Sequence, residues 1–276
     1  MSLRGQPERA DLGGLRHAAE VTAVHLRVTV HNELQYRTNF FLQLLQTAWQ
    51  VVGGLVVVAL IYSKTPELNG WRRGELLAAV GVFTMIGGLL RSVVYPPLQQ
   101  MMEDVAQGDF DHTLTQPADP QLLVSVRGID VWQFTDVVVG AIIVAVAIPD
   151  LPSGLSVGDA AAFILLLAAG AAITYWMWLS LSCLAFWVTR LPFMDNLMHY
   201  VTRAAQYPIS IYPAWLRISM TVIVPLGIAV TAPAEAISSR LSWETAASAV
   251  AVTVVLGVFS RWLWQRALRR YSGASA

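Results

Sequence analysis

Six apolar runs constrain this chain more than anything else in it: Phe40 to Ile61, Leu76 to Val94, Val131 to Ile148, Ala160 to Trp187, Leu216 to Ala232 and Ala246 to Trp264. Each is close to the roughly 20 residues a helix needs to cross about 30 Å of hydrocarbon. In lipid every backbone donor and acceptor must be paired inside the protein, which leaves helices and closed barrels, and the runs lack the alternation of barrel strands. Only 13% of residues are charged, about half the share in a soluble domain. The expectation is an all-α polytopic membrane protein with six transmembrane helices. It divides into a cytosolic N-terminus (1–38), a transmembrane domain (39–265) and a cytosolic tail (266–276).

The net charge is zero, so its distribution carries the information. With six spans, one side collects Arg4, Arg9, Arg16, Arg27, Arg37, Arg91, Arg127, Arg190, Arg203, Arg217, Arg261, Arg266, Arg269 and Arg270. The other collects Lys64, Arg72, Arg73 and Arg240. Basic residues accumulate on the cytoplasmic side, which places both termini there. Trp71 and Trp243 fall at outer span ends, and Trp132, Trp187 and Trp262 at inner ones, as interfacial aromatics do. The first forty residues are too charged for a cleavable signal peptide. Instead Leu15, Ala19, Ala23, Leu26, Val30 and Leu34 recur at helical spacing, which predicts an interfacial elbow helix feeding the first span through Tyr36, Arg37 and Asn39.

Three polar features interrupt the apolar pattern. In the first span Gln43, Gln46, Thr47, Gln50 and Gly54 form one stripe, which either lines a substrate path or bonds helices together, since amides in hydrocarbon need partners. In the third span Asp136 lies near the inner interface, where Arg91 or Arg127 would pair with it. Between the second and third spans, residues 96–127 form the longest polar interval among the spans, with Glu103, Asp104, Asp109 and Asp111 close together. There a short helix from Leu98 to Gln107 is expected to stop at Gly108. Tyr95-Pro96-Pro97 reads as the end of the second span, Pro225 as a kink in the fifth, and Pro233 to Thr245 as an outer cap. A further cytosolic helix, Met194 to Val201, follows the fourth span.

Several chemistries have no signature. No Gly-rich phosphate loop ends in Gly-Lys-Ser or Gly-Lys-Thr, and the single lysine, Lys64, lies on the outer side. His17, His25, His31, His112 and His199 show no metal spacing, and Cys183 is the lone cysteine. No Gly-x-Ser-x-Gly elbow occurs, and no basic patch beyond the juxtamembrane arginines points to nucleic acid. No metal, cofactor or catalytic residue is therefore expected in this chain.

Tyr36-Arg37-Thr38-Asn39-Phe40, Gly108-Asp109-Phe110-Asp111 followed by Leu114-Thr115-Gln116-Pro117, Ala185-Phe186-Trp187, Tyr207 to Pro213, and the Pro225 to Ala234 stretch occur here in that order. Together they resemble the bacterial type-2 ATP-binding-cassette (ABC) permeases described as ABC-2 family transporter proteins. Phe110 departs from the aliphatic residue expected in the loop motif, and the lead-in before residue 15 is longer and more charged than expected. The resemblance implies an exporter permease in the inner membrane, paired with an identical or homologous permease. Two separate ATPase subunits, holding ATP and magnesium, would dock beneath. It further implies that the 96–127 loop couples to them through Met101, Glu103, Asp104, Gly108, Asp109 and Asp111. The second contact would be Asn196, His199 and Arg203. Two other readings remain: an ion- or proton-coupled secondary transporter using Asp136 and the glutamine stripe, and a membrane anchor that does not transport. The class suggests an amphipathic drug, lipid or peptide as substrate.

Overall fold

The structure, a computed structural model, describes residues 37–68, 70–151, 154–188, 213, 215 and 225–271. The elbow helix with Tyr36, and the Met194 to Val201 helix with Asn196, His199 and Arg203, lie outside them. The described residues form helices, with one isolated β-bridge between Leu68 and Trp71 and no strand. In chain order these are α1 (Arg37–Tyr62), α2 (Arg73–Leu89), a π-helical turn (Leu90–Val94), α3 (Tyr95–Gln107), α4 (Asp111–Leu114) and α5 (Pro120–Ser125). Then come α6 (Phe134–Ala147) with a 3₁₀ turn at Ile148–Asp150, and α7 (Val157–Ser182) with a 3₁₀ turn at Cys183–Phe186. α8 (Leu226–Ile237) and α9 (Trp243–Leu268) complete the order. Arg37 and Asn39 fall in the first turn of α1.

Among the described residues, four helices are long and apolar enough to cross a membrane: Phe41–Tyr62, Arg73–Gln107, Val157–Phe186 and Trp243–Leu268. The third expected span is realised as the 14 residues of α6 plus the 3₁₀ turn, about 27 Å in all, a little short of the hydrocarbon thickness. The fifth is represented by the 12 residues of α8.

α2 is the central helix, with all but three of its residues buried, and it lies between α6 and α8. Its contact with α6 is close because glycines face each other. A Cβ on Gly140 would sit 2.6 Å from the Gly81 carbonyl oxygen, so backbones touch where side chains would hold them apart. α7 packs between α8 and α9. α1 is loosely attached: Thr47, Gly54 and Val58 turn inward, while Phe41, Leu45, Trp49, Val56 and Leu60 are exposed.

Two proline readings change in the structure. The second span does not end at Tyr95-Pro96-Pro97, because the helix continues unbroken through the π-turn to Gln107. Pro96 has no N–H to give the carbonyl of Ser92, and that carbonyl accepts instead from the backbone N–H of Asp130, 2.9 Å away. Likewise Pro233 does not open an outer cap. α8 runs through it to Ile237 and buries every residue except Glu235. The carbonyl of Ala229, which Pro233 cannot bond, is the atom nearest to where a Cβ on Gly170 would lie, so the missing hydrogen bond falls where α7 approaches closest. Pro225 stands at the start of α8, and residues 216–224 lie outside the described part.

At the end remote from the 96–127 loop, a charged clasp joins the chain's two halves. Arg240 bonds the Glu75 carboxylate at 2.7 Å and the carbonyl of Gly70, and its guanidinium lies 5.2 Å from the Trp71 ring centroid. Glu75 is 3% exposed and also accepts from the Arg72 backbone N–H. Tyr62 donates to the Trp71 carbonyl, which brings the end of α1 into the same cluster.

Candidate functional site

Two polar assemblies occupy the loop end of the bundle. The first joins three helices around Asp136, on the first turn of α6 and 2% exposed. One carboxylate oxygen accepts from the Thr47 hydroxyl of α1 and the other from the Arg91 guanidinium of the π-turn. One turn away, the amides of Gln43 and Gln133 exchange two hydrogen bonds, at 2.8 and 3.1 Å. Of the two partners expected for Asp136, Arg91 takes the role and Arg127 does not. The glutamine stripe is divided. Gln43 and Thr47 bond helices together, whereas Gln46 and Gln50 are exposed.

The second assembly is the 96–127 interval itself, folded against the ends of α7 and α9. α3 is amphipathic: Leu98 and Met101 enter the core while Gln100 and Glu103 face out. It stops at Gly108, whose φ of 84° is left-handed backbone that glycine adopts without strain. Past this turn Phe110, fully buried, packs edge-on against Phe186, Trp264 and Tyr271 at centroid distances of 5.5, 6.3 and 5.6 Å. Tyr271 also donates to the Gly108 carbonyl at 2.9 Å. Burial, with Asp111 adding to it, raises the phenol's pKa, so the hydroxyl keeps its proton.

Arg127 ties the interval's own ends together, reaching Asp104 at 3.0 Å and the Thr113 hydroxyl at 2.6 Å. Arg261 of α9 grips Asp119 at 2.5 Å and the Gln121 side-chain oxygen at 2.6 Å. Ser125 and Tyr175 of α7 share a hydrogen bond of 2.5 Å. The hydrogen bond from Arg261 lowers the Asp119 pKa, with the Gln121 backbone N–H adding to it and partial burial opposing. Because the folded-state pKa is depressed, the stabilisation is present above the ordinary carboxylate pKa of about 3.9 and fades as pH falls through Asp119's own lower one. The pair is well exposed, so the contribution is under about 1 kcal/mol. Asp119→Asn is expected to melt a degree or two lower than the parent at neutral pH, with the difference closing towards pH 3; thermal melts at both values check this.

Within the expected coupling set the structure separates inner from outer members. Met101 is buried among core side chains, Asp104 is engaged by Arg127, and Gly108 serves the helix stop. Glu103 and Asp109 are exposed and Asp111 is half-buried. Sequence reasoning did not foresee the Phe110 cage or the Arg261 grip. Both join residues remote in sequence, although Phe186, Trp264 and Tyr271 near inner span ends were a usable signal. Among the described residues no three His, Cys, Asp or Glu side chains converge as metal ligands would.

Helices of spanning length, polar groups spent on helix contacts and a folded polar loop at one end define a multi-pass α-helical membrane protein. More particularly, the chain belongs to the ABC-2 family transporter proteins, whose family model matches residues 48–275. No curated protein and no solved structure gives a match. The match leaves out Tyr36 to Phe40 and covers the 96–127 loop, α7 and the Pro225 to Ala234 stretch. The chain is thus the membrane-spanning component of an ABC transporter, a permease and not the catalytic subunit, and permeases of this family generally work with ABC ATPase partners.

Proposed function

We propose that this permease serves an ATP-driven exporter of the bacterial inner membrane, with six spans, both termini cytoplasmic, and an identical or homologous permease beside it. Two ATPase subunits dock on the 96–127 loop and supply the ATP and magnesium chemistry. The observation that carries the reading is the loop's construction. It is pinned from behind by Phe110, Arg127 and Arg261, it is continuous with α2, and it leaves Glu103 and Asp109 exposed with Asp111 half-buried beside them. A rigid element joined to a central helix delivers a partner's movement into the bundle instead of absorbing it. On α1 the exposed Gln46 and Gln50 are the amides left for the translocation path or the second permease. A proton-coupled mechanism would require Asp136 to give up its contacts with Thr47 and Arg91, which favours the ATP-driven reading.

The test is affinity purification of the tagged protein from native membranes in mild detergent. An ABC ATPase is expected to co-purify with the parent chain. With Glu103→Arg/Asp109→Arg, recovery is expected to fall about tenfold or more at an unchanged melting temperature, since like charge now faces whatever the carboxylates met. Full recovery with the variant would remove the loop from the docking surface. If no ATPase appears with either protein, the ATP-driven reading falls.

A further inference from the structure

The last helix presents two unlike faces at the loop end. One carries Trp264 and Ala267, buried against the loop's aromatic cage. The opposite face carries Val255, Phe259, Trp262, Arg266 and Arg269, spaced i, i+4, i+7, i+11 and i+14, all exposed. Phe259 and Trp262 lie with ring centroids 5.9 Å apart, tilted by 32°. Neither Arg266 nor Arg269 has an ion-pair or hydrogen-bond partner among the described residues, whereas the neighbouring Arg261 is committed to Asp119. Trp243, at the helix start, is the other exposed tryptophan of α9. Its nineteen-residue separation from Trp262 corresponds to about 28 Å of helix, the thickness of a hydrocarbon core. Trp262 therefore marks the membrane boundary, and Arg266, one turn further, reaches headgroup depth with Arg269 just beyond it.

We infer that Arg266, Arg269 and Trp262 form a binding site for an anionic phospholipid. The headgroup phosphate sits on the two guanidinium groups and the acyl chains run along Phe259 and Val255. Charge complementarity selects this occupant. Two cations without a partner among the described residues, at headgroup depth and above a continuous apolar strip, match a lipid that is anionic at one end and apolar along the rest. Because the same turns of α9 hold the cage on their other face, the bound lipid also steadies the seat of the 96–127 loop. The inference rests on α9 meeting an anionic leaflet at this end, and not on the ATPase partnership. Failure to recover an ATPase would leave it standing.

Native mass spectrometry of the purified full chain, titrated with phosphatidylglycerol or with phosphatidylcholine, tests it. Each arginine near an anionic surface is worth about a fivefold gain, so Arg266→Gln/Arg269→Gln is expected to weaken phosphatidylglycerol binding roughly thirtyfold. The corresponding Lys/Lys variant should retain most of it, and phosphatidylcholine should bind all three proteins equally weakly. For the parent chain, binding should also weaken as salt rises from about 0.05 to about 0.5 M. Equal binding of the two lipids by the parent chain, insensitivity to salt, or an unchanged Gln/Gln variant would overturn the site. Stabilisation of the parent chain by inorganic phosphate alone, equal to that by phosphatidylglycerol, would overturn the assignment to a lipid. A stoichiometric protein covering this face in the purified complex would do the same.

Discussion

Arg91→Met is expected to destabilise the protein by about 3–5 kcal/mol, because it leaves the Asp136 carboxylate buried and without its counter-charge. Asp136 is almost completely enclosed, and the Thr47 hydroxyl alone does not offset a charge at that depth. For a chain of this size the loss corresponds to a melting temperature lower by roughly 10 °C. The double variant Arg91→Met/Asp136→Leu should recover most of it, since removing both charges also removes the cost of desolvating them. Melts of the two variants in one detergent decide the matter. If the single variant melts with the parent, the pairing contributes little. If the double variant is no better than the single, the network's worth lies in its packing and not in its charges.

Phe110→Ala should cost a similar amount, about 3–5 kcal/mol, by emptying the centre of the Phe186, Trp264 and Tyr271 cluster. Its consequence is local. Limited proteolysis should cut within residues 96–127 much faster than in the parent, while the spanning helices stay protected. Phe110→Leu keeps most of the volume and is expected to cost under about 1.5 kcal/mol with little gain in cleavage. Unchanged protection in Phe110→Ala would mean that Arg127 and Arg261 hold the interval without the cage.

These residues also show how far the sequence could be read unaided. α3 and its stop were legible because Leu98, Met101 and Gly108 obey short-range rules of amphipathicity and capping. The partner of Asp136 was narrowed to two arginines because an acid near an interface needs a cation within reach. Proline was misread twice, at Pro96 and Pro233, and for one reason. The local rule says that a helix ends where a donor is missing, but the abandoned carbonyl was absorbed at Ser92 by Asp130 and lay at Ala229 against the close approach of Gly170. Neither remedy is visible without tertiary contacts. Phe110 looked like a minor departure from a family pattern for the same reason. Its importance comes from three aromatics that the fold, not the spacing, brings to it.

The π-turn at Leu90–Val94 sets an angle as well as a path. It holds one residue more than an α-helical turn, so the faces of α3 are rotated by about 100° from where an uninterrupted α2 would have carried them. That offset is what aims Leu98 and Met101 at the bundle and Glu103 away from it. The phase between the spanning helix and the loop thus depends on a single inserted residue. If the turn closed into an α-helical one with every residue kept, α3 would swing by that same angle and Leu98 and Met101 would leave the bundle. Deleting one residue between 90 and 94 would instead let the helix run on as regular α with both still aimed at it.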